Sequence, residues 1–448
     1  MKKLATENKI WYFGALFLIS LHFVVLANIQ FTAWPEILLW PYLLLKGWLP
    51  YQNIAIAHTP LLLIELGVIY KLLGVGVWQL KAATWLTILF LDILVFYVAK
   101  RFWGIKAAVI SLLFYVVFQV TYAGNGLWFD LCLALWGLAI YYFLKNKNYL
   151  LVGICWVLAF LTKQTAFWFL IPIALELIAK RGKHTKDYLR KFILGAFVTA
   201  FVFVVALFVF GIFDDFYNWA IRFGIFVLPS AKGQIKTPFF KETIYAFIPF
   251  LIIPIYYKVK KDWLLPVFAI AGVVGVYPRW ELFHFQPALT FLALMFGLVL
   301  VRVSSIKKLS QILLVFIILF VFYSFGKTIN YTWGVEDRFV DKTTMKVAEY
   351  VKENSTQEDK IYIVGYWDNI YALTDRLPAV DPWIPHLDWY LNYDNVEVEM
   401  LSDLSGDNPR LVIIPKGSGI IPKDFGNKFE EKYEEKMEID GILIYKKL

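Results

Sequence analysis

TPLLLIELGVIYKLL, residues 59–73, is the stretch on which the reading of the whole chain turns. It is apolar, but at about 1.5 Å per helical residue it is too short to cross a hydrocarbon core about 30 Å thick, and it carries Glu65 and Lys71. Around it lie apolar runs at 10–28, 80–99, 105–122, 127–144, 191–212, 242–256, 262–278, 283–301 and 309–326, with a further pair, 149–161 and 165–180, split by Thr162-Lys163-Gln164. If residues 59–73 crossed the bilayer, the basic loop at 100–106 would face outward and every later basic loop would invert. If they lie along the outer surface as an interfacial helix, 20 of the 30 Lys and Arg in residues 1–327 fall on the inner side, as the positive-inside rule requires. The sequence therefore predicts a polytopic α-helical membrane protein of about eleven spans, with its N-terminus inside.

Composition agrees. The chain has 448 residues, 60% hydrophobic and only 18% charged, with a mean hydropathy of +0.61, which excludes a soluble protein. Residues 1–327 carry 30 Lys and Arg against 12 Asp and Glu, whereas residues 328–448 carry 14 against 23, so a basic membrane domain (1–327) is expected to precede an acidic, soluble, extracytoplasmic one (328–448). Basic residues clustered between apolar runs mark topology and give no reason to expect nucleic acid as a partner. Cys132 and Cys155, both in apolar runs, make neither a disulfide framework nor a zinc site. The stretch Ile10 to Asn28 lacks a small-residue cleavage site and reads as a retained first span.

That topology puts 29–79, 123–126, 162–164, 213–241, 278–282 and the tail on the outer side, and the chemistry is sought there. Glu36 opens an expected interfacial helix, 36–46, that Gly47 would end. It is a general base toward a hydroxyl, a metal ligand, or a charge that stabilises a helix N-terminus. His58, before Pro60, donates a hydrogen bond to a phosphate, ligates a metal, or is a polar cap to the second interfacial helix. Lys163 interrupts a long apolar run, where an ammonium is costly unless it meets water or an anion; a phosphate and simple snorkelling are both open. The turn Tyr277-Pro-Arg279-Trp-Glu281-Leu-Phe-His284 offers a guanidinium suited to bidentate phosphate binding and an imidazole as a second donor, unless Arg279 and Glu281 pair with each other. Asp130 enters the membrane from the outer side, as a second active-site carboxylate or a helix-start charge. Asp92, in mid-span, reads as a buried structural polar group. Asp214 and Asp215 open the 213–241 loop, in which nothing is specific.

This arrangement resembles the GT-C superfamily of polyprenyl-phosphate-sugar glycosyltransferases, near its protein O-mannosyltransferase and aminoarabinose transferase branch. The resemblance covers roughly residues 8–326. It rests on Glu36, Lys46-Gly47, Pro50-Tyr51 and His58-Thr59-Pro60 of the first loop, on Leu161-Thr-Lys163-Gln-Thr165, and on Pro278-Arg279, His284 and Pro287. It implies a GT-C-like fold with interfacial helices in the first external loop, and inverting transfer of a sugar from a lipid-phosphate donor to a hydroxyl or amine. By that analogy Glu36 takes the catalytic-carboxylate position, Lys163, Arg279 and His284 lie where donor phosphate is held, and His58 follows the catalytic loop. Relatives usually place Asp early in this loop, where this chain reads Thr32-Ala-Trp-Pro-Glu36, so Asp130 stays a candidate to share or take over the role of base. A divalent metal is compatible with such chemistry, and no ligand cluster with clear spacing demands one.

The tail from residue 341 reads as a small α/β domain: a helix at 342–353, a strand at 360–365, short helices at 369–374 and 395–404, a strand at 410–415 and a closing pair at 436–439 and 442–446. Gly365-Tyr-Trp-Asp368 lacks the glycine spacing of a phosphate loop, and Trp383 to Tyr393 either stacks on a sugar or packs. The function expected is a membrane glycosyltransferase in the plasma membrane, with a polyprenyl-phosphate sugar donor and a lipid, glycan or protein acceptor. The alternative is a transporter or flippase of lipid-linked sugars without covalent chemistry.

Overall fold

The structure, a computed structural model, describes residues 2–180, 185–260, 262–394, 396, 400, 404, 409–417, 429 and 431–448. Its helices are α1 (Lys2–Asn28), α2 (Pro35–Leu45), α3 (Leu61–Leu73), α4 (Val77–Trp103), α5 (Ile105–Thr121), α6 (Phe129–Lys145), α7 (Tyr149–Thr162), α8 (Leu170–Ala179), α9 (Thr185–Val209), α10 (Phe213–Phe216), α11 (Phe240–Phe247), α12 (Ile252–Lys260), α13 (Leu264–Val273), α14 (Gln286–Val301), α15 (Lys308–Thr332), α16 (Lys342–Asn354), α17 (Asn369–Thr374) and α18 (Asp388–Leu391). The chain gathers into two compact units, one of residues 1–30, 84–206 and 236–335, the other of 31–83, 207–235 and 336–448.

Among the described residues six helices are long and apolar enough to cross a membrane, beginning at Lys9, Val77, Thr185, Phe240, Leu282 and Lys308. This is an integral membrane protein, but the expected count of eleven spans is not met. The other runs become shorter helices: 17 residues in α5 and in α6, 14 in α7 and 10 in α13. The physical reason is that hydropathy adds apolar residues across breaks that the backbone cannot cross as one helix. Lys163 takes extended φ and ψ of −155° and 135° and ends α7, and 3-10 turns interrupt the apolar runs at Gln164–Phe169 and Val274–Val276.

In the first unit α14 is the central helix. Every residue from Gln286 to Val299 is buried, as expected of a helix that is apolar all round and enclosed by others. It packs on α5, α6, α12 and α13, with Phe296 stacked on Phe114 at 4.3 Å between ring centres. Gly297 makes the α5 contact possible, because a Cβ there would collide with Ser111 Oγ and come within 2.6 Å of the Ala107 carbonyl. Helices α7 and α9 meet in the same way. A Cβ on Gly153 would strike the Phe192 carbonyl and one on Gly195 the Leu150 carbonyl, so two small residues let two backbones touch.

The second unit is mixed. Helices α2 and α3 pack on each other, α2 also packs on α17, and Tyr70 Oη donates to the Ile37 carbonyl at 3.4 Å. Strands β1 (Ile361–Ile363), β2 (Leu411–Pro415), β3 (Tyr433–Ile439) and β4 (Ile442–Lys447) form an open sheet in the order β1-β2-β4-β3, with β1 parallel to β2 and the other pairs antiparallel. Asp440 and Gly441, both at positive φ, close the β3–β4 hairpin. Asp341 caps α16 by accepting from Thr344 N at 2.8 Å. The tail thus has helices and strands beginning at 342, 361, 369, 411, 433 and 442, close to where they are expected, and its four strands form an open mixed sheet. The helix expected over 395–404 falls largely outside the described residues.

Substituting Gly153→Leu or Gly297→Leu forces these backbones apart. Each variant is expected to lose about 1–3 kcal/mol of stability by overpacking, read as a lower thermal midpoint in detergent, whereas Gly326→Leu, where a Cβ meets nothing within 4 Å, leaves the midpoint in place.

Candidate active site

Three of the residues singled out from sequence converge inside the first unit. Asp130 is the second residue of α6, Lys163 ends α7, and His284 lies in the 3-10 turn Leu282–Phe285 that leads into α14. Asp130 Oδ2 accepts from Lys163 Nζ at 2.6 Å and from His284 Nδ1 at 2.7 Å. The two donors lie 3.3 Å apart. Asp130 is 1% exposed and Lys163 5%. The extended backbone at Lys163 replaces a helical turn at the point where its side chain reaches the carboxylate. Asp130 Oδ1 is buried with no hydrogen-bond partner. Asp130 is therefore the counter-charge of Lys163, held also by the positive end of α6.

Arg279 is half-buried on the turn before His284, and its backbone bridges to Lys236. Lys236 Nζ pairs with Glu281 Oε1 at 2.7 Å, so Glu281 has a partner other than Arg279. Metal chemistry has little to build on: among the described residues no group of three or more His, Cys, Asp or Glu side chains is placed to hold a metal ion.

Glu36 belongs to the second unit. It sits in the first turn of α2 behind Pro35, half-buried, with Oε2 fully enclosed and without a hydrogen-bond partner. Burial holds its carboxyl above the ordinary carboxylate range. Its neighbourhood was not legible in the sequence. Trp34 packs on Phe339 at 5.4 Å, Phe339 meets Trp367 edge-on at 4.7 Å, and Asn369 Nδ2 donates to the Phe339 carbonyl at 2.6 Å. This brings Asp368, which precedes α17, near Glu36. Burial first, and the charge of Glu36 second, push the Asp368 carboxyl well above its usual value. Tyr390, whose Oη accepts from Ala57 N at 3.2 Å, is raised by burial and also feels Glu36. The only signal of Asp368 was the Gly365-Tyr-Trp-Asp turn after a strand, which carries no pattern for a carboxylate partner. His58 is half-buried, and its carbonyl accepts from Tyr51 Oη at 2.9 Å. Within Trp383 to Tyr393 the rings pack: Trp383, Tyr390 and Tyr393 are buried, the last two against Trp219 and Phe223 of the π-helical segment Tyr217–Val227.

The comparisons follow this geometry. A family model described as the putative competence-induced protein Ccs4 C-terminal domain matches residues 341–447. No curated protein matches the chain. Among solved structures, ArnT from Cupriavidus metallidurans in the apo state is similar at a TM-score of 0.68 and 13% identity, covering 99% of this chain and 98% of that one. The same protein bound to undecaprenyl phosphate also gives 0.68 and 13%, covering 97% of each chain. The Archaeoglobus fulgidus oligosaccharyltransferase in its apo form gives 0.53 and 12%, covering 90% of this chain and 69% of that one. The likeness is one of fold: the chain is a polytopic α-helical membrane protein folded like these structures.

Two measurements check these clusters. Lys163→Met leaves Asp130 buried without its cation and is expected to cost about 3–5 kcal/mol, while Asp130→Asn combined with Lys163→Met recovers most of the loss. Asp368, raised on folding, binds its proton more tightly in the folded state, so its contribution to stability is complete below the ordinary aspartate range and is lost as pH rises through the raised value. The thermal midpoint of wild type is therefore expected to fall over that rise, and that of Asp368→Asn to stay flatter.

Proposed function

We propose that this chain is an integral-membrane glycosyltransferase that moves a sugar from a polyprenyl-phosphate donor to a lipid, glycan or protein acceptor on the outer face of the plasma membrane. The observation that carries the reading is the buried lysine and histidine on one carboxylate at the break between membrane helices, in a fold shared with a protein solved with undecaprenyl phosphate. An ammonium has three N–H donors and Asp130 Oδ2 takes one of those of Lys163, so the lysine can also donate to a second anion, and phosphate is the anion such a donor carries. In this reading residues 1–327 are the catalytic membrane domain and 328–448 the outer domain, with α2 and α3 lying in the outer interface and the N-terminus inside. Lys163, His284, Arg279 and His58 bind donor phosphate. Glu36, whose enclosed Oε2 is without a partner, is the base, because Asp130 is already engaged by two donors.

The chemistry balances in one displacement. Glu36 takes the proton of the acceptor hydroxyl or amine, the acceptor heteroatom bonds to the anomeric carbon, and the bond from that carbon to the phosphate oxygen breaks. Its electron pair leaves on polyprenyl phosphate, whose charge the cations offset, and a single in-line step inverts the centre. The second reading, a transporter or flippase of lipid-linked sugars, has one observation in its favour: His22 and Asp92 lie buried within α1 and α4.

Purified protein in nanodiscs, given a panel of polyprenyl-phosphate sugars, separates the two. Wild type is expected to release polyprenyl phosphate, and Glu36→Gln to lose about 10²–10⁴-fold in rate with donor binding retained. Arg279→Ala is expected to weaken donor binding about tenfold, one phosphate contact being worth roughly 1.4 kcal/mol. Donor movement across the bilayer without release by wild type would give the transporter reading the place of the enzyme.

A further inference from the structure

His22, Asp92 and Gln119 form a polar knot in the interior of the first unit, on α1, α4 and α5. They are 1%, 2% and 0% exposed. His22 Nδ1 lies 2.9 Å from Asp92 Oδ2 and 3.2 Å from Oδ1, and Nε2 lies 3.0 Å from Gln119 Oε1. The amide of Gln119 is fixed by its other end, since Nε2 donates to the Gly124 carbonyl at 2.8 Å. It is therefore the amide oxygen that faces the ring. Both ring nitrogens meet acceptors, so both carry hydrogen. Tyr115, edge-on to the ring at 6.4 Å, is the other titratable group facing His22 from α5, and Asp92 the one from α4. A carboxylate and an imidazolium together bring no net charge into the apolar interior, whereas either alone would be expensive.

The knot reaches the Asp130 cluster through the 122–128 turn. The Gln119 and Tyr122 carbonyls accept from Gln286 Nε2 at 3.4 and 3.0 Å, and Gln286 is two residues beyond His284. Asn125 Nδ2 donates to the carbonyls of Leu26, Ile29 and Gln30 at 3.0–3.1 Å, and Trp85 Nε1 donates to Asn125 Oδ1 at 3.1 Å. Gly124 has no room for a Cβ against Gln119. The turn fastened in this way runs directly into Asp130.

We propose that His22 is a positioning residue for the Asp130–Lys163–His284 cluster: a buried imidazolium neutralised by Asp92 that acts through Gln119, the 122–128 turn and Gln286 to hold Asp130 and His284 in register. Its consequence for donor affinity rests on the phosphate reading above; the charge state of His22 and the register of His284 do not.

The test is ¹⁵N spectroscopy of histidine-labelled full-length protein in nanodiscs, with the His22 signal identified by its loss in His22→Asn. Both His22 nitrogens are expected at imidazolium positions at neutral and mildly alkaline pH, and a neutral tautomer there would overturn the proposal. The double variant His22→Phe with Asp92→Leu replaces the pair by apolar groups and is expected to fold, judged by an unchanged thermal midpoint. In it the Nδ1–H signal of His284 should shift or broaden, and the affinity for undecaprenyl phosphate should fall about tenfold. If the double variant does not fold, Gln119→Leu, which keeps the His22–Asp92 pair and removes the Nε2 acceptor together with the link to the turn, is read for the same His284 signal. An unperturbed His284 signal in the variant that folds overturns the positioning role. Absence of undecaprenyl phosphate binding in wild type, with the His284 signal moving as expected, overturns only the donor reading.

Discussion

One oxygen atom organises the first unit. Asp130 Oδ2 receives an ammonium and an imidazole N–H from chain segments more than thirty and more than a hundred and fifty residues away in sequence. In a medium that cannot solvate charge, each of the three groups is tolerable only because the other two are present. Much of the local architecture meets this demand. The apolar run 149–180 is broken where Lys163 must turn aside, the entry to α14 is a 3-10 turn that carries His284, and α6 begins close enough to Asp130 for its N-terminal N–H groups to favour the carboxylate.

Not all of this was hidden from the sequence. A lysine between two apolar halves and a histidine beside an arginine turn are anomalies against a hydrophobic background, and anomalies of that kind stand out without knowledge of contacts. Lys163, His284 and Asp130 were singled out on that ground, and the fold brings them together. What could not be read was their arithmetic. Asp130 was weighed as a second base, and only the geometry shows its Oδ2 occupied by two donors. His22 drew no attention, because one histidine in an apolar run carries no period or motif, and its partners lie seventy and ninety-seven residues away.

The count of spans failed for a related reason. Hydropathy measures what a residue prefers and adds apolar residues across the extended Lys163 and the 3-10 turns at Gln164–Phe169 and Val274–Val276, where the helix itself stops. Residues 59–73 were read by length, and α3 is a helix of thirteen residues, shorter than a full span. Most elements of the tail were legible, since short apolar strands such as 360–365 and 410–415 are local signals. The meeting of Glu36 with Asp368 was the least, being a contact across more than three hundred residues that only the packing of α2 on α17 creates.

The second unit is assembled from three pieces of chain, 31–83, 207–235 and 336–448, with membrane helices made in the intervals. A chain emerging from its N-terminus must therefore present α2 long before α17 and the sheet exist. During that interval α2 has α3 to pack on but lacks α17, and the Asp368 carboxyl that lies near Glu36 is not yet in place. Chemistry that depends on the surroundings of Glu36 thus waits for chain made some three hundred residues later, since α17 and Asp368 belong to the piece 336–448.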